Sequence, residues 1–393
     1  MHPEAETLRC AIIRGGTSKG VYFLENDLPA DPAVRERVLL RVFGSPDVRQ
    51  IDGLGGATSQ TSKTMIIRSS TRPDADVDYT FGQISVRTPV IDWGGNCGNL
   101  TSAIAPFAID MGLVNLTEPL TEVRIFNTNT QKLIIARVPV KNGRALSEGD
   151  YAISGVPGTG AKIELEFTDP GGSITGKLLP TGRPMDSLIL DDGRRFTVSI
   201  VDASNPVVFM LAEELDVRGD ELPVELDART DVLETMELVR SQVCEMLGIV
   251  EDRSQATFKS PGLPKIGFVS PPREYVGTTG QTIRADDITV LARLLSVQRA
   301  HGAYMVTGAV CTGAAAVTPG TLVHQVSSPP RRREDGLDEV LIGHPFGPMD
   351  VAVRHHTEDG QVRVDGVTVG RTARRIMDGY VYVPRECFAR DGR

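Results

Sequence analysis

Cysteine is scarce and badly spaced for a covalent scaffold. The 393 residues hold five, at Cys10, Cys97, Cys244, Cys311 and Cys387, an odd number with no CxxC pair. A disulfide framework or zinc ribbon is thereby excluded, and reduced thiols fit a cytoplasmic protein. Long apolar runs are missing too. No stretch approaches the ~18 residues of a membrane-spanning helix, so no membrane association is expected. The opening MHPEAETLRC has no basic region followed by an apolar run, and no signal peptide is expected. Positive charge is in deficit: the formal net charge is -9. Nucleic acid is therefore not an expected partner, because non-specific binding needs a basic footprint. The one dense basic run, Arg331-Arg332-Arg333, sits between prolines and acids and reads as a solvated loop. His355-His356 has no further ligands at metal spacing, so no metal site is expected. Low-complexity tracts and short-period repeats are absent.

Glycine and proline are abundant, at 40 and 25 residues, and they break the chain into many short apolar runs. Val- and Ile-rich segments at 9–13, 64–67, 83–87, 122–126, 133–138, 162–167, 197–201, 207–211, 266–269, 361–364 and 379–383 predict strands. Convincing helices are few. Residues 31–42 form one, with Asp31 as N-cap and Pro32 in the first turn. Residues 230–247 form another, with Val232, Leu233, Met236 and Val239 on one face. Residues 286–299 read as a third. The segments 98–109 and 313–317 are small or apolar on every side, the mark of a buried helix. Each follows a cysteine, one per half, so the halves look loosely duplicated. A chain of this length defaults to two domains. The turn-rich TGRPMDSLILDD at 181–192 supplies the boundary, giving residues 1–187 and 188–377.

Three glycine-rich patches stand out. Arg14-Gly15-Gly16-Thr17-Ser18-Lys19-Gly20 follows a strand. Asp52-Gly53-Leu54-Gly55-Gly56-Ala57-Thr58-Ser59-Gln60-Thr61-Ser62-Lys63 precedes one. Gly94-Gly95-Asn96-Cys97-Gly98-Asn99 opens a buried helix. Glycine lets a backbone approach a ligand closely, so hydroxyls, amides and N–H groups can converge on an anion. A helix N-terminus adds unpaired N–H groups and partial positive charge, which suits a carboxylate or a thiolate. No patch matches GxxxxGK[ST] or GxGxxG, so nucleotide-phosphate binding fails on spacing.

The same patches carry a family resemblance. IIRGGTSKGVYF, GLGGATSQTSKTMII and WGGNCGNLTSAIAPFAIDMGLV, in that order, resemble the 2-methylaconitate cis–trans isomerase family, which includes 3-methylitaconate isomerase and 4-oxalomesaconate tautomerase. FGSPDVRQIDG, DADVDYTFGQISV, SPGLPKIGFV, LLSVQRAH, GTLVHQV and IGHPFG extend the similarity over most of the chain. The resemblance implies an α+β, diaminopimelate-epimerase-like fold. Two pseudo-equivalent domains would each wrap a β-barrel-like sheet around a central helix, with the site in the cleft between them and the first domain completed by residues 378–393. It implies no metal and no organic cofactor. A small polycarboxylate is the expected partner, and a homodimer is compatible with it.

The resemblance identifies Lys63 as the proton-transfer base and Cys97 as its companion. Substrates in the family lose a proton beside a double bond and a carboxylate, then regain one at another allylic carbon. The enolate-like intermediate needs preorganised donors. Lysine must be neutral to accept that proton; neighbouring cations such as Lys19 or Arg14 favour this, and a bound polyanion opposes it. Candidates to hold the carboxylates are Arg14, Thr17, Ser18, Lys19, Ser62, Asn96, Gly98 and Asn99. From the second half come Asn205 in an Asn-Pro turn, Lys265 at a strand start, and His301, which reads equally as a core histidine. Cys311 lies among Ala, Val and Gly and reads as packing. Other readings stay open: a keto–enol tautomerase, a two-cysteine racemase pairing Cys97 with Cys311, a thiol hydrolase pairing Cys97 with His301, and a non-catalytic polycarboxylate-binding protein.

Overall fold

The computed structural model describes residues 4–358 and 360–389. It divides into two compact units. The first comprises the described parts of Met1–Ala152, Val156–Glu164 and Arg371–Arg393; the second comprises Ile153–Gly155 and Leu165–Gly370.

In the first unit, β1 (Ala5–Gly15) and β2 (Ser18–Leu24) form an antiparallel hairpin. β2 runs parallel to β3 (Lys63–Ser69), which pairs antiparallel with β4 (Val77–Ile84). β4 is parallel to β5 (Leu120–Asn127), and β5 is antiparallel to β6 (Lys132–Lys141). The C-terminal strand Ala373–Pro384 adds to the outer edge of β1. Helix α1 (Pro32–Phe43) starts where the Asp31 carboxylate accepts from the amides of Ala33 and Val34, and it ends at Gly44 with φ 71°. Its Val38, Leu39 and Phe43 pack with Leu8, Val21, Phe23, Ile66 and Ile84 in one core. Each such side chain contributes roughly 1.5–3 kcal/mol on leaving water. The apolar segment after Cys97 forms two short pieces, α2 (Gly98–Thr101) and α3 (Ile104–Asp110), packed against strands β1, β2, β5 and β6.

The second unit repeats the alternation. β7 (Arg195–Ala203) and β8 (Asn205–Leu211) are antiparallel, and β8 is parallel to β9 (Lys265–Ser270). β9 and β10 (Val290–Ser296) are antiparallel, β10 and β11 (Asp338–His344) parallel, β11 and β12 (Gly347–Glu358) antiparallel. Helix α4 (Thr230–Met246) lies between β8 and β9 in the chain, as α1 lies between β2 and β3. Its Val232, Met236, Val239 and Val243 close a core with Val198, Val208, Ile266 and Phe268. Helix α5 (Val306–Ala316) is buried on every side and lies between β10 and β11, as α2 and α3 lie between β4 and β5. The duplication read from the two cysteine-led segments is a repeat of strand pairing and helix insertion.

Several expectations change. Residues 286–299 are not a helix: β10 sits between β9 and β11 and is buried on both faces. Periodicity cannot separate a short, wholly buried strand from a buried helix. The strand expected at 83–87 ends at Ile84 and begins at Val77. The helix expected at 313–317 is the last part of α5. Residues 181–192 are not the unit boundary, because Asp186–Ile189 is a strand paired with β7 inside the second unit, with Leu188 in its core. The C-terminal return to the first unit begins at Arg371 rather than 378, and residues 390–393 of that segment lie outside the described residues.

Candidate active site

The three glycine-rich patches meet in the first unit. The β1–β2 turn places Arg14 opposite Lys19 and Gly15 opposite Ser18. Its glycines are there because α2 touches them. A Cβ on Gly15 would stand 2.6 Å from the Asn99 carbonyl oxygen and 3.0 Å from the Leu100 Cα. Gly16 has φ +50°, and a Cβ there would overlap the Asn99 amide at 2.1 Å. A Cβ on Gly20 would meet Leu100 at 2.6 Å and the Lys63 carbonyl oxygen at 2.9 Å. The second patch joins the first through the Lys19 amide, which donates to the Gln60 carbonyl at 3.0 Å. The Thr17 amide donates to Asn99 Oδ1 at 3.3 Å and ties the first patch to the third.

Lys63 is the first residue of β3, and Gln83 stands opposite it on β4. Lys63 Nζ donates to Gln83 Oε1 at 2.7 Å and lies 5.5 Å from the Phe81 ring centroid. The loop before it is braced by Gln50, whose Oε1 accepts from the Ala57 amide at 2.8 Å and from the Ser62 hydroxyl at 2.6 Å. Cys97 caps α2 and is buried. Its neighbour Asn96 is fixed by Tyr79, whose hydroxyl donates to Asn96 Oδ1 at 2.8 Å and accepts from Asn127 Nδ2 at 2.7 Å. Burial first, then the proximity of Cys97, raises the Tyr22 phenol well above its ordinary pKa. The Tyr79 phenol is likewise pushed up, chiefly by burial, against the opposing hydrogen bonds of Thr101 and Asn127. Both phenols therefore stay neutral beside the thiol.

Arg14 brings positive charge. Its Nη1 donates to the carbonyls of Thr372 at 2.8 Å and Gly16 at 3.2 Å, and to the Thr372 hydroxyl at 2.9 Å. Burial, then Arg374, lowers its pKa, yet a guanidinium stays charged. Ser18 is buried, and Thr17 Oγ1 is a buried hydroxyl with no hydrogen-bond partner among the described residues. The amide oxygens of Asn96 and Asn99 are engaged by the protein, which fixes each donor nitrogen on the opposite side. The electrostatic argument from a helix over 98–109 weakens: α2 is a single turn, and one turn sums few peptide dipoles.

Asn205, Lys265 and His301 belong to the second unit. Asn205 Nδ2 donates to the Thr307 hydroxyl at 3.2 Å, and Lys265 Nζ to the Gly262 carbonyl at 3.4 Å. Lys265 opens β9 as Lys63 opens β3. His301 is buried, with Nδ1 accepting from the Ala303 amide at 3.1 Å. Cys311 lies inside α5 and donates to the Val201 carbonyl at 3.2 Å; burial pushes its thiol pKa far up. The residue that caps α5, as Cys97 caps α2, is Met305. Among the described residues, no group of three His, Cys, Asp or Glu side chains is arranged to hold a metal. Among them also, no helix is long and apolar enough to cross a membrane. Sequence reasoning missed Gln83, Gln50, Tyr79 and Asn127. The signal for Gln83 was its place in a strand that pairs with the lysine's own.

A family model described as PrpF protein matches residues 6–384. The 3-methylitaconate isomerase of Eubacterium barkeri is 47% identical over 96% of this chain and 97% of its own. The 2-methyl-aconitate isomerase of Shewanella oneidensis is 38% identical over 98% of this chain and 99% of its own. A crystal structure of methylitaconate-delta-isomerase superposes with TM-score 0.80 at 45% identity, covering 99% of this chain and 98% of that one. A hydroxyproline epimerase from Agrobacterium vitis, 10% identical, shares the fold with TM-score 0.56, covering 96% of this chain and 93% of its own. The α+β, epimerase-like fold expected from the sequence is the fold observed.

Proposed function

The chain belongs to the PrpF protein family, and from that premise we propose that it is an isomerase shifting a proton between allylic carbons of a small unsaturated polycarboxylate, with Lys63 as the base. One observation carries the assignment of the base. Lys63 Nζ is held at 2.7 Å by a neutral amide oxygen, in the unit where all three glycine-rich patches meet. A neutral acceptor positions the amine without locking it as an ion pair, so it can take up and return a proton.

In this reading, neutral Lys63 removes a proton from the carbon beside the double bond and a carboxylate. The electron pair spreads through the conjugated system onto carboxylate oxygen. The lysine ammonium, or the Cys97 thiol, then returns a proton at the far allylic carbon, and the double bond has moved. Arg14, Lys19, Thr17, Ser18 and the amides of Asn96 and Asn99 supply cations and donors for the carboxylates and the developing charge. Methylitaconate and methylaconitate are the substrate types favoured, from the names of the relatives and the shared motifs. A reducing, cytoplasmic setting belongs to the same reading, supported by five free thiols.

The test is a panel of methylitaconate, methylaconitate, aconitate and oxalomesaconate followed by proton NMR. Migration or cis–trans change of the double bond in one of the first two is expected; no change in any of the four overturns the proposal. Cys311→Ala should keep turnover within about twofold of the parent, because a thiol bonded to Val201 inside a helix is not poised for proton exchange. Loss of activity there would revive the two-thiol racemase. Cys97→Ser should lower kcat by on the order of tenfold, less than the ~10²–10⁴ of an obligatory acid–base group. Abolished turnover would make the thiol a required proton carrier.

A further inference from the structure

Gln83 has four polar contacts, and their geometry leaves it one orientation. Its Nε2 donates to the backbone carbonyls of Ser62 at 2.9 Å, Ser59 at 3.2 Å and Ile84 at 3.4 Å. Its Oε1 faces Lys63 Nζ at 2.7 Å. A flipped amide would set its oxygen against three carbonyl oxygens, so it is excluded by repulsion. Two of the three carbonyls belong to the loop that leads into Lys63. The same side chain therefore fixes the loop and the amine it delivers.

We propose that Gln83 is the positioning residue for Lys63, holding the amine by an acceptor that cannot take its proton and thereby setting the direction of its lone pair. The proposal rests on the reading of Lys63 as the base. A neutral primary amine has two N–H bonds and one lone pair. With one N–H committed to Oε1, rotation about the last carbon–nitrogen bond is stopped and the lone pair is held off the Gln83 side. Phe81, two residues earlier on the same face of β4, limits the stem, with its ring centroid 5.5 Å from Nζ. A carboxylate at position 83 would instead stabilise the ammonium and oppose its role as base. Glutamine satisfies both demands: it donates to the loop carbonyls, which a carboxylate cannot, and it accepts from lysine without charge.

The experiment compares Gln83→Met, Gln83→Asn and Gln83→Glu with the parent, measuring kcat, KM, thermal unfolding and the pH profile of kcat/KM on the substrate found by the panel. Methionine keeps the length and loses the acceptor; asparagine keeps the amide but falls short of Lys63. Both should lower kcat about 10-fold to 100-fold with KM within about threefold, as expected when a reacting group is misaligned rather than removed. In Gln83→Glu the acid limb of the profile should move upward by roughly one pH unit, because an opposite charge at hydrogen-bond distance favours the protonated amine. A purely structural role would lower the unfolding midpoint and leave kcat of the folded protein near the parent's. The proposal is overturned if the folded Met or Asn variant keeps kcat within twofold, or if the acid limb in the Glu variant does not move. Lys63→Ala separates the two ideas. An active alanine variant removes the base itself, whereas an inactive one beside a fully active Gln83→Met removes only the positioning role.

Discussion

Lys63→Ala should lower kcat by about 10²–10⁴-fold, the range lost when a positioned acid–base group is removed, while the protein stays folded. The two halves of that expectation have separate causes. The fold loses little because Lys63 makes one side-chain hydrogen bond, to Gln83 at 2.7 Å, and opens β3 rather than filling a core. One intramolecular hydrogen bond is worth roughly 0.5–1.5 kcal/mol against a total of roughly 5–15. The backbone pairing of β3 with β2 and β4 does not involve the side chain. Turnover is lost because alanine has no group that can carry a proton between carbons. Circular dichroism and thermal unfolding close to the parent's, with kcat down by the stated factor, are the expected pair of results. Near-normal kcat in a folded variant would remove lysine from the mechanism.

Gly15→Ala should damage both stability and turnover. The added methyl would lie 2.6 Å from the Asn99 carbonyl oxygen and 3.0 Å from the Leu100 Cα. These are backbone atoms, so no rotamer change can make room. Either β1 bends at its end or α2 retreats, and Cys97 is the N-cap of α2. Overpacking of this kind costs about 1–3 kcal/mol. The same displacement loosens the Thr17–Asn99 contact and shifts the donors proposed to hold the substrate, and misplacement by an ångström can cost on the order of 100-fold in rate. Urea unfolding and kcat/KM measured on one preparation check it. A parent-like value in both would show that the two patches need not touch.

β1, β3, β5 to β9, α1 and α4 were legible because their signals are local; β2, β11 and β12 were not foreseen. Asp31 and Pro32 mark a helix start by chemistry that needs no distant partner, and Val232, Met236, Val239 and Val243 recur at helical spacing. The misreading of 286–299 arose where the local signal is silent. β10 is buried on both faces, Arg293 included, which is a fact of tertiary structure. The candidate site could be proposed from sequence where glycines and chemistry-bearing side chains are contiguous, as in Gly15 to Lys19 and Asn96 to Asn99. Gln83 and Tyr79 were not, since each acts across a strand pairing or a buried network that sequence distance conceals. The duplication shows both sides of this. Two cysteine-led apolar segments hinted at it, yet only the structure shows that Met305, not Cys311, occupies the capping place that corresponds to Cys97.

Proton NMR of methylitaconate incubated with the enzyme in D2O tests the central chemistry most directly. Exchange with solvent through the Lys63 amine should put deuterium on the allylic carbon that gains a hydrogen, and Lys63→Ala should abolish that label along with isomerisation. Isomerisation or labelling by Lys63→Ala at the parent's rate would contradict a lysine-borne proton.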